Sequence, residues 1–304
     1  MSRVGVIGEA LMDIVRRPDG SVHTAPGGSP ANVALTLGRL GMDVRLFTSL
    51  GQDASAKAIR TWLGESRVDV FAAEAERTST AIACLDATGA AQYEFDLVWE
   101  ARRMRLDGCG LLHVGSVTAL LAPGADEVLA AAQAARPSAL ITYDPNIRPA
   151  LLIEPRAHRD RVERLVALAD VVKASDEDLD WLYPGVDPLD VARGWRRRGE
   201  ALVVVTRGGA GADAATSSGV VHVEPPSVVV ADTVGAGDTF MGTLIAELVT
   251  RGYAQHGRAA LRGVDVGVVR SMLEASARAA AVTVSRPGAD PPWGEGVRPL
   301  TRIT

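Results

Sequence analysis

The nine residues Asp232-Thr233-Val234-Gly235-Ala236-Gly237-Asp238-Thr239-Phe240 decide the fold of this chain. They stand between an apolar stretch predicted as a strand, residues 227–231, and an apolar helix predicted over 240–249. Such a strand, glycine turn and helix start build an anion site, because small residues let backbone N–H groups approach an oxygen and the helix N-terminus is positive. Gly235, Ala236 and Gly237 are therefore candidates to hold a phosphoryl group while its charge develops.

Asp238 is the unexpected residue of this turn, since a carboxylate beside a phosphate site would repel a static ligand. Its presence is explained if it takes a proton from an incoming hydroxyl group as a general base. The alternative is a plain tight turn in which Asp238 caps the helix. The stretch lacks the Gly-x-x-x-x-Gly-Lys-[Ser/Thr] pattern of P-loop enzymes, and no Gly-x-Gly-x-x-Gly follows the first predicted strand, which argues against a nicotinamide-binding half.

The rest of the chain alternates predicted strands and helices. Residues 29–40 give the clearest helix, with Ser29 predicted as its N-cap, Pro30 as its first residue and Gly41 as its end. Short apolar runs predict strands that are buried on both faces, at 4–8, 44–49, 111–115, 139–144, 171–174 and 202–206. Further helices are predicted over 125–135 and 158–169. The alternation predicts a single domain over 1–304 with a three-layer α/β/α core and a mainly parallel sheet.

Two segments of the chain, called excursions here, depart from this alternation of strands and helices. Residues 80–86 and 91–98 predict a hairpin, and a second strand pair surrounds residues 16–20. The excursions, near 10–25 and 75–104, are predicted to leave the main sheet and pair as a small β lid. The end of the chain, 287–304, is rich in Pro and Gly and is expected to wrap the surface.

Composition excludes several classes of protein. The net charge of −5 is a poor match for non-specific nucleic-acid binding. Cys84 and Cys109 form neither a metal pattern nor a disulfide framework, so a reduced, cytoplasmic protein is expected. The N-terminal stretch lacks the unbroken apolar core of a signal peptide, and no window approaches 18 apolar residues, so no membrane span is expected.

Two separated motifs carry a resemblance. DTVGAGDTF at 232–240 resembles the C-terminal signature of the ribokinase-type (PfkB) carbohydrate kinases, and GGSPANVALTLGRLG at 27–41 resembles their N-terminal signature. YDPNIRP at 143–149, ADVVKASDEDL at 169–179 and VVVTRGGAGA at 203–212 fit the same family. The resemblance covers nearly the whole chain, and two signatures in register disfavour the turn-only interpretation of Gly235 to Asp238.

For the phosphate end, the resemblance implies phosphoryl transfer from ATP with Mg²⁺. It makes Asp238 the catalytic base and Gly235, Ala236 and Gly237 the anion hole. It places along the nucleotide Lys173, Thr206, Arg207, Gly208 and Gly211, with residues 279–288 closing the adenine side. Asp232 matches a position that helps to bind a monovalent cation such as K⁺, and a buried capping role is its alternative.

For the sugar end, residues and resemblance agree. Asp13 follows the first predicted strand, at the edge where open α/β sheets bind ligands, and its carboxylate can accept two hydrogen bonds from neighbouring hydroxyl groups. Gly27 and Gly28 let backbone N–H groups approach a hydroxyl, and Asn32 offers a donor and an acceptor. Arg148 is a partner for the substrate or the transferring phosphate. The alternatives are a plain turn for the glycines, a buried structural amide for Asn32 and a surface side chain for Arg148.

The expected metal site departs from the family pattern. Many members carry Asn-x-x-Glu after the strand that ends near residue 174, whereas this chain has Ser175 and Asp178. Aspartate is one methylene shorter than glutamate, so any network of metal-bound water must shift. The candidate for the metal is Asp178, and its alternative is an acidic first helical turn favoured by the helix dipole.

Within the family, the motifs are most similar to the bacterial fructokinase branch, which implies fructose or a related ketose as the phosphoryl acceptor. The alternatives are a 2-keto-3-deoxygluconate kinase, a nucleoside kinase, and an inactive sugar-binding regulator on the same fold. Phe95 and Trp99 are candidate walls of the sugar pocket, or side chains that pack the hairpin. The family also implies a homodimer through the lid.

Overall fold

The computed structural model describes residues 2–86, 91–100, 104–152 and 154–294. In these ranges the chain forms the strands β1 (Arg3–Ile7), β2 (Leu11–Arg16), β3 (Val22–Gly27), β4 (Val44–Leu50), β5 (Asp69–Glu74), β6 (Thr80–Leu85), β7 (Ala91–Asp96), β8 (Cys109–Gly115), β9 (Leu140–Asp144), β10 (Val171–Ser175), β11 (Leu202–Thr206), β12 (Ala212–Thr216) and β13 (Gly219–Val223). Its helices are α1 (Ser29–Arg39), α2 (Ala54–Glu65), α3 (Gly124–Ala135), α4 (Pro155–Leu168), α5 (Asp176–Leu182), α6 (Pro188–Arg198), α7 (Ala236–Thr250), α8 (Tyr253–Arg262) and α9 (Val266–Val284).

The predicted α/β core is confirmed. Nine strands form one sheet in the order β13-β12-β11-β10-β9-β8-β1-β4-β5, in which β12 and β13 are antiparallel to their neighbours and the other pairs are parallel. One face packs on α1, α7 and α9, and the other on α3, α4 and α6. Each predicted strand of the core is present to within two residues, because strands covered by helices on both faces are apolar at successive positions.

The lid prediction is also confirmed. A separate sheet in the order β3-β2-β6-β7 is formed by the two excursions, and β2 pairs with β6 in parallel to join them. The turn between β6 and β7 and the chain beyond residue 294 lie outside the described residues. In the described ranges, no helix has the length and hydropathy that a membrane span requires.

Two local predictions are wrong. Residues 227–231 form no strand, and the residues Val229 and Val230 are 88% and 60% exposed. The only backbone hydrogen bond found for this stretch in the described part of the chain runs from the Ala231 N–H to the Val284 carbonyl, so the β-branched run has no neighbouring strand. The N-cap of α1 is Gly28, with φ 102°, instead of Ser29. The Ser29 hydroxyl donates a hydrogen bond to Asp238 instead.

Candidate active site

Several of the predicted site residues lie close together at the carboxyl edge of the central sheet. The first turns of α1 and α7 lie side by side there, the lid strand β2 carries Asp13, and β10 brings Lys173 from below. Asp13 therefore lies inside a lid strand, with Ala25 and Ala81 as its cross-strand neighbours, and not at the end of a core strand. The lid still presents it to the site, since the pKa of Asp13 responds to the charges of Arg148 and Asp238.

Asp238 is the third residue of α7 and is buried. Its Oδ1 accepts a hydrogen bond of 2.7 Å from the Ser29 hydroxyl, and its Oδ2 accepts one of 2.8 Å from the Asn32 amide. Both donors come from α1, and no side chain caps α7 among the described contacts. The geometry thus contradicts the helix-cap alternative, because the carboxylate is directed at the neighbouring helix and leaves the start of its own helix uncapped.

The glycine turn before Asp238 leaves N–H groups free. Gly235 is the N-cap of α7 with φ 76°, where a side chain would be strained and its Cβ would lie 2.6 Å from that of Ala289. Within the described chain, neither Gly237 nor Asp238 has a hydrogen-bond partner for its backbone N–H. Two free donors at the N-terminus of a 15-residue helix have the geometry and the positive potential that an anion site requires.

Lys173 lies beneath this turn. Its ammonium group donates to Asp144 Oδ2 at 2.9 Å, and the side chains are only 5% and 1% exposed. Burial lowers the pKa of Lys173, but the carboxylates of Asp144, Asp178 and Asp238 raise it by more, so the group is charged. A Cβ added at Gly237 would lie 3.1 Å from the ammonium nitrogen, which places that nitrogen directly against the turn.

The residues predicted to bind the sugar are Asp13, Gly27, Gly28, Asn32 and Arg148. Burial raises the pKa of Asp13 to about 6, the Arg148 charge lowers it, and the Asp238 charge adds to the rise. A Cβ at Gly27 would lie 1.9 Å from Asp13 Oδ2, so only glycine leaves room for that carboxylate. The Asn32 Oδ1 is buried and has no partner in the described chain, which leaves an acceptor for a hydroxyl group. Arg148 is exposed and its guanidinium contacts Asn146 Oδ1 at 2.6 Å.

The residues predicted to bind the nucleotide begin with Thr206, which pairs with Ser175 at the ends of β11 and β10. Gly208, with φ 50°, opens a short 3-10 turn and faces open space, whereas a Cβ at Gly211 would lie 2.1 Å from the Val223 carbonyl oxygen. Arg207 donates from Nε to Asp213 Oδ2 at 2.8 Å. These residues line one rim, and none of their contacts in the described part of the chain reaches Asp238.

The predicted cation residues have well-defined partners. Asp232 accepts from the N–H of Val234 at 3.0 Å and of Gly288 at 2.8 Å, so it joins the turn before α7 to the segment after α9. Asp178 accepts from the N–H of Ile147 at 2.7 Å and of Ser175 at 2.9 Å, and with Ser175 forms a capping box. In the described ranges, no group of three or more His, Cys, Asp or Glu side chains is placed to hold a metal ion.

Sequence reasoning missed several residues. Ser29 was expected as a cap, and only the fold shows that it reaches a residue 209 positions away. Glu9 is a second missed group, since its buried Oε2 accepts from the Thr118 hydroxyl at 2.7 Å and burial raises its pKa. A signal was present for Glu9, because it is a charged residue inside an apolar stretch, whereas Ser29 has the ordinary signal of a helix cap. Trp99 packs into the core cluster and against Gly124, with 7% exposure.

The comparisons with known proteins identify the family of the chain. Residues 1–294 match the family described as pfkB family carbohydrate kinase. The chain belongs to this family. It is 36% identical over 254 residues to a fructokinase of Rhizobium leguminosarum bv. trifolii, which covers 79% of this chain and 78% of that protein.

Solved structures give the same result for the fold. A fructokinase from Xylella fastidiosa with bound ATP superposes with a TM-score of 0.82 at 27% identity, covering 94% of this chain and 93% of that one. A double mutant of the Vibrio cholerae O395 fructokinase, in a form bound to fructose, ADP and potassium ion, superposes with a TM-score of 0.78 at 27% identity, covering 95% and 94%. The protein is thus an ATP-dependent carbohydrate kinase with a ribokinase-like fold.

Proposed function

We propose that the protein transfers the γ-phosphoryl group of ATP to a hydroxyl group of fructose or a closely related ketose, with Asp238 as the general base. One observation carries this proposal: a buried carboxylate, held by Ser29 and Asn32, stands beside the two unpartnered N–H groups of the α7 turn. A proton acceptor and an anion site in contact are the two elements that phosphoryl transfer to an alcohol requires.

The residues would act in one displacement. Asp238 accepts the proton of the sugar hydroxyl as the oxygen forms a bond to the γ-phosphorus and the bond from phosphorus to the ADP oxygen breaks. The N–H groups of Gly237 and Asp238 hold the oxygens of the group in transfer, and Ser29 and Asn32 fix the carboxylate that receives the proton. Catalysis of this kind rests on positioning and charge stabilisation, because little other covalent chemistry is required.

The sugar would be held by the acceptors on the lid side. Asp13 offers two carboxylate oxygens, and the unpartnered Oδ1 of Asn32 offers a third acceptor. Arg148 would contact the substrate or its phosphate from the exposed rim. Fructose is favoured over other sugars by the fructokinase relative and by the fructose-bound structural neighbour.

ATP would lie along the rim of Thr206, Arg207, Gly208 and Gly211. Mg²⁺ would neutralise phosphate charge when bound, and it keeps most of its waters and few protein ligands, so a site without a built cage suits it. Asp178 is its candidate protein partner, through water. Asp232 is the candidate for a monovalent cation, in line with the potassium ion named for a structural neighbour. A homodimer through the lid stays a prediction.

The test is Asp238→Asn in steady-state assays with fructose, 2-keto-3-deoxygluconate, ribose and adenosine. We expect wild type to prefer fructose and kcat of the variant to fall by about 10²–10⁴-fold, the usual contribution of a general base. Fructose and ATP should still bind, because the turn and the helix remain.

A matched control is Asp265→Asn, since Asp265 caps α9 through the N–H groups of Gly267 and Val268. Asparagine caps about as well as aspartate, so this variant should keep its turnover and its melting temperature. Retention of more than about a tenth of kcat in Asp238→Asn, set against the same range, would reject the base and favour a sugar-binding regulator. A preference for another sugar would reject only the substrate.

A further inference from the structure

Lys173 is a buried cation that the reaction outlined above does not use. It is one of two lysines in the chain, and its neighbours in β10 are mostly apolar. An ammonium group has three N–H donors. Among the described residues, Asp144 is the one hydrogen-bond partner of the Lys173 nitrogen. The remaining N–H donors and the positive charge of Lys173 are therefore available to a second group.

The position of the nitrogen indicates what that is. It lies where a Cβ of Gly237 would come within 3.1 Å, so the ammonium group packs against the Gly237 Cα. Gly237 supplies one of the two free N–H groups of the anion site, and Asp238 supplies the other. Lys173 thus stands next to the residue that would hold the phosphoryl group, and not on the rim of Thr206 to Gly211.

The surrounding charges show why a cation is needed at this point. The carboxylates that act on Lys173 are Asp144, Asp178 and Asp238, all of them buried. The nearby His113 does not add positive charge, because burial and the Lys173 charge lower its pKa to about 3. A phosphoryl group entering the site would therefore meet three carboxylates with Lys173 as the buried cation among them. Arg148 is exposed and lies on the sugar side.

We propose that Lys173 is a positioning residue of the anion site, which acts through Gly237 to keep the first turn of α7 positive enough to accept the phosphoryl group in transfer. This inference rests on the proposed function and goes beyond it. It also differs from the role that the sequence predicted for Lys173, which was binding of the nucleotide.

The experiment compares three variants with wild type. Lys173→Met alone leaves Asp144 buried without a counter-charge and is expected to fold poorly. The double variant Lys173→Met with Asp144→Asn removes both charges and avoids that cost. Asp144→Asn alone keeps the ammonium group. A matched control, Glu247→Gln with Arg251→Met, removes a different buried ion pair, at the C-terminal end of α7, whose side chains are 1% and 12% exposed.

We expect kcat of the Lys173→Met, Asp144→Asn variant to fall by about 10- to 100-fold, less than the 10²–10³-fold typical of a direct anion-hole donor. KM for fructose and for ATP should change by less than about threefold, because the interaction belongs to the transition state. Binding of ADP with aluminium fluoride and fructose, a mimic of the group in transfer, should weaken in parallel with kcat. Asp144→Asn should lose much less activity, and the control none.

Three results would overturn the inference. They are an unchanged kcat in the double variant, a loss in Asp144→Asn equal to that in the double variant, and a rise of KM for ATP with kcat preserved, which would return Lys173 to the nucleotide. The Asp238→Asn result separates this inference from the function itself. If Asp238→Asn is inactive and the double variant is fully active, only the role of Lys173 fails.

Discussion

At the scale of single residues, the surroundings of Asp13 determine the pH range in which its carboxylate can bind a sugar. Burial in the lid raises its pKa to about 6, although Arg148 counteracts the shift. A carboxyl group with that pKa is ionised at neutral pH and protonated in mild acid. Only the ionised form offers both oxygens as charged acceptors to sugar hydroxyl groups.

We therefore predict that kcat/KM for the sugar falls as the pH drops below about 6. The decrease should approach about tenfold for each further pH unit, because one required carboxylate becomes protonated. Asp13→Asn should have a lower kcat/KM at pH 8 and a flatter profile between pH 5 and 7. Steady-state rates at saturating ATP, with the sugar varied, measure both. An acid limb that persists unchanged in Asp13→Asn would assign the titration to another group.

The candidate site residues could be proposed from the sequence, whereas their contacts could not. Asp238, Asn32 and Asp13 stand in short motifs, so their chemistry could be predicted locally. Ser29 could not be assigned, because a serine before a helix has the same sequence signal whether it caps that helix or bonds to α7. The contact of Lys173 with Gly237 could not be predicted either, because it depends on how β10 packs against the start of α7. The sequence therefore placed Lys173 with the nucleotide.

At the scale of elements, strands of the core were predictable because their periodicity reports burial on two faces. Residues 227–231 have the same composition as those strands and form none, because composition does not specify a partner strand. The lid is the opposite case, since its hairpins follow from turns and alternation, and its register then brings distant side chains together. Asp13 pairs with Ala81, and Ala81 pairs with Phe95, so the three side chains share one face of the lid.

This register predicts a role for Phe95 at the sugar. Its ring stacks on Tyr93 at a centroid distance of 6.1 Å, on the same face as the Asp13 carboxylate. Phe95→Ala should raise KM for the sugar by roughly 10-fold or more, because the loss of an aromatic contact costs about 1.5 kcal/mol. KM for ATP should change little. Tyr93→Ala, two residues further from Asp13 in the register, serves as the comparison. Equal effects on both substrates in Phe95→Ala would show that the ring only packs the hairpin.

At the scale of the whole molecule, burial of a charged carboxylate in the candidate site costs stability. Asp13 is ionised in a folded environment that disfavours its charge. The folded state consequently holds the Asp13 proton more tightly than the unfolded state does, in the interval between its ordinary pKa of 3.8 and about 6. The sign of the linkage follows: through that interval the free energy of unfolding falls as the pH rises, and above it the loss is complete.

The corresponding prediction is that Asp13→Asn stabilises the ligand-free protein at neutral pH while it impairs catalysis. The gain should approach about 2–3 kcal/mol above pH 7, at about 1.4 kcal/mol per unit of pKa difference, and vanish near pH 4. Urea unfolding of both proteins across pH 4.5–8 measures the difference, in which the other titrating groups cancel. A gain that does not change with pH would mean that asparagine simply packs better than aspartate. A loss at neutral pH would mean that the Asp13 carboxylate is stabilised in the folded state, and the proposed conflict between stability and sugar binding would then be wrong.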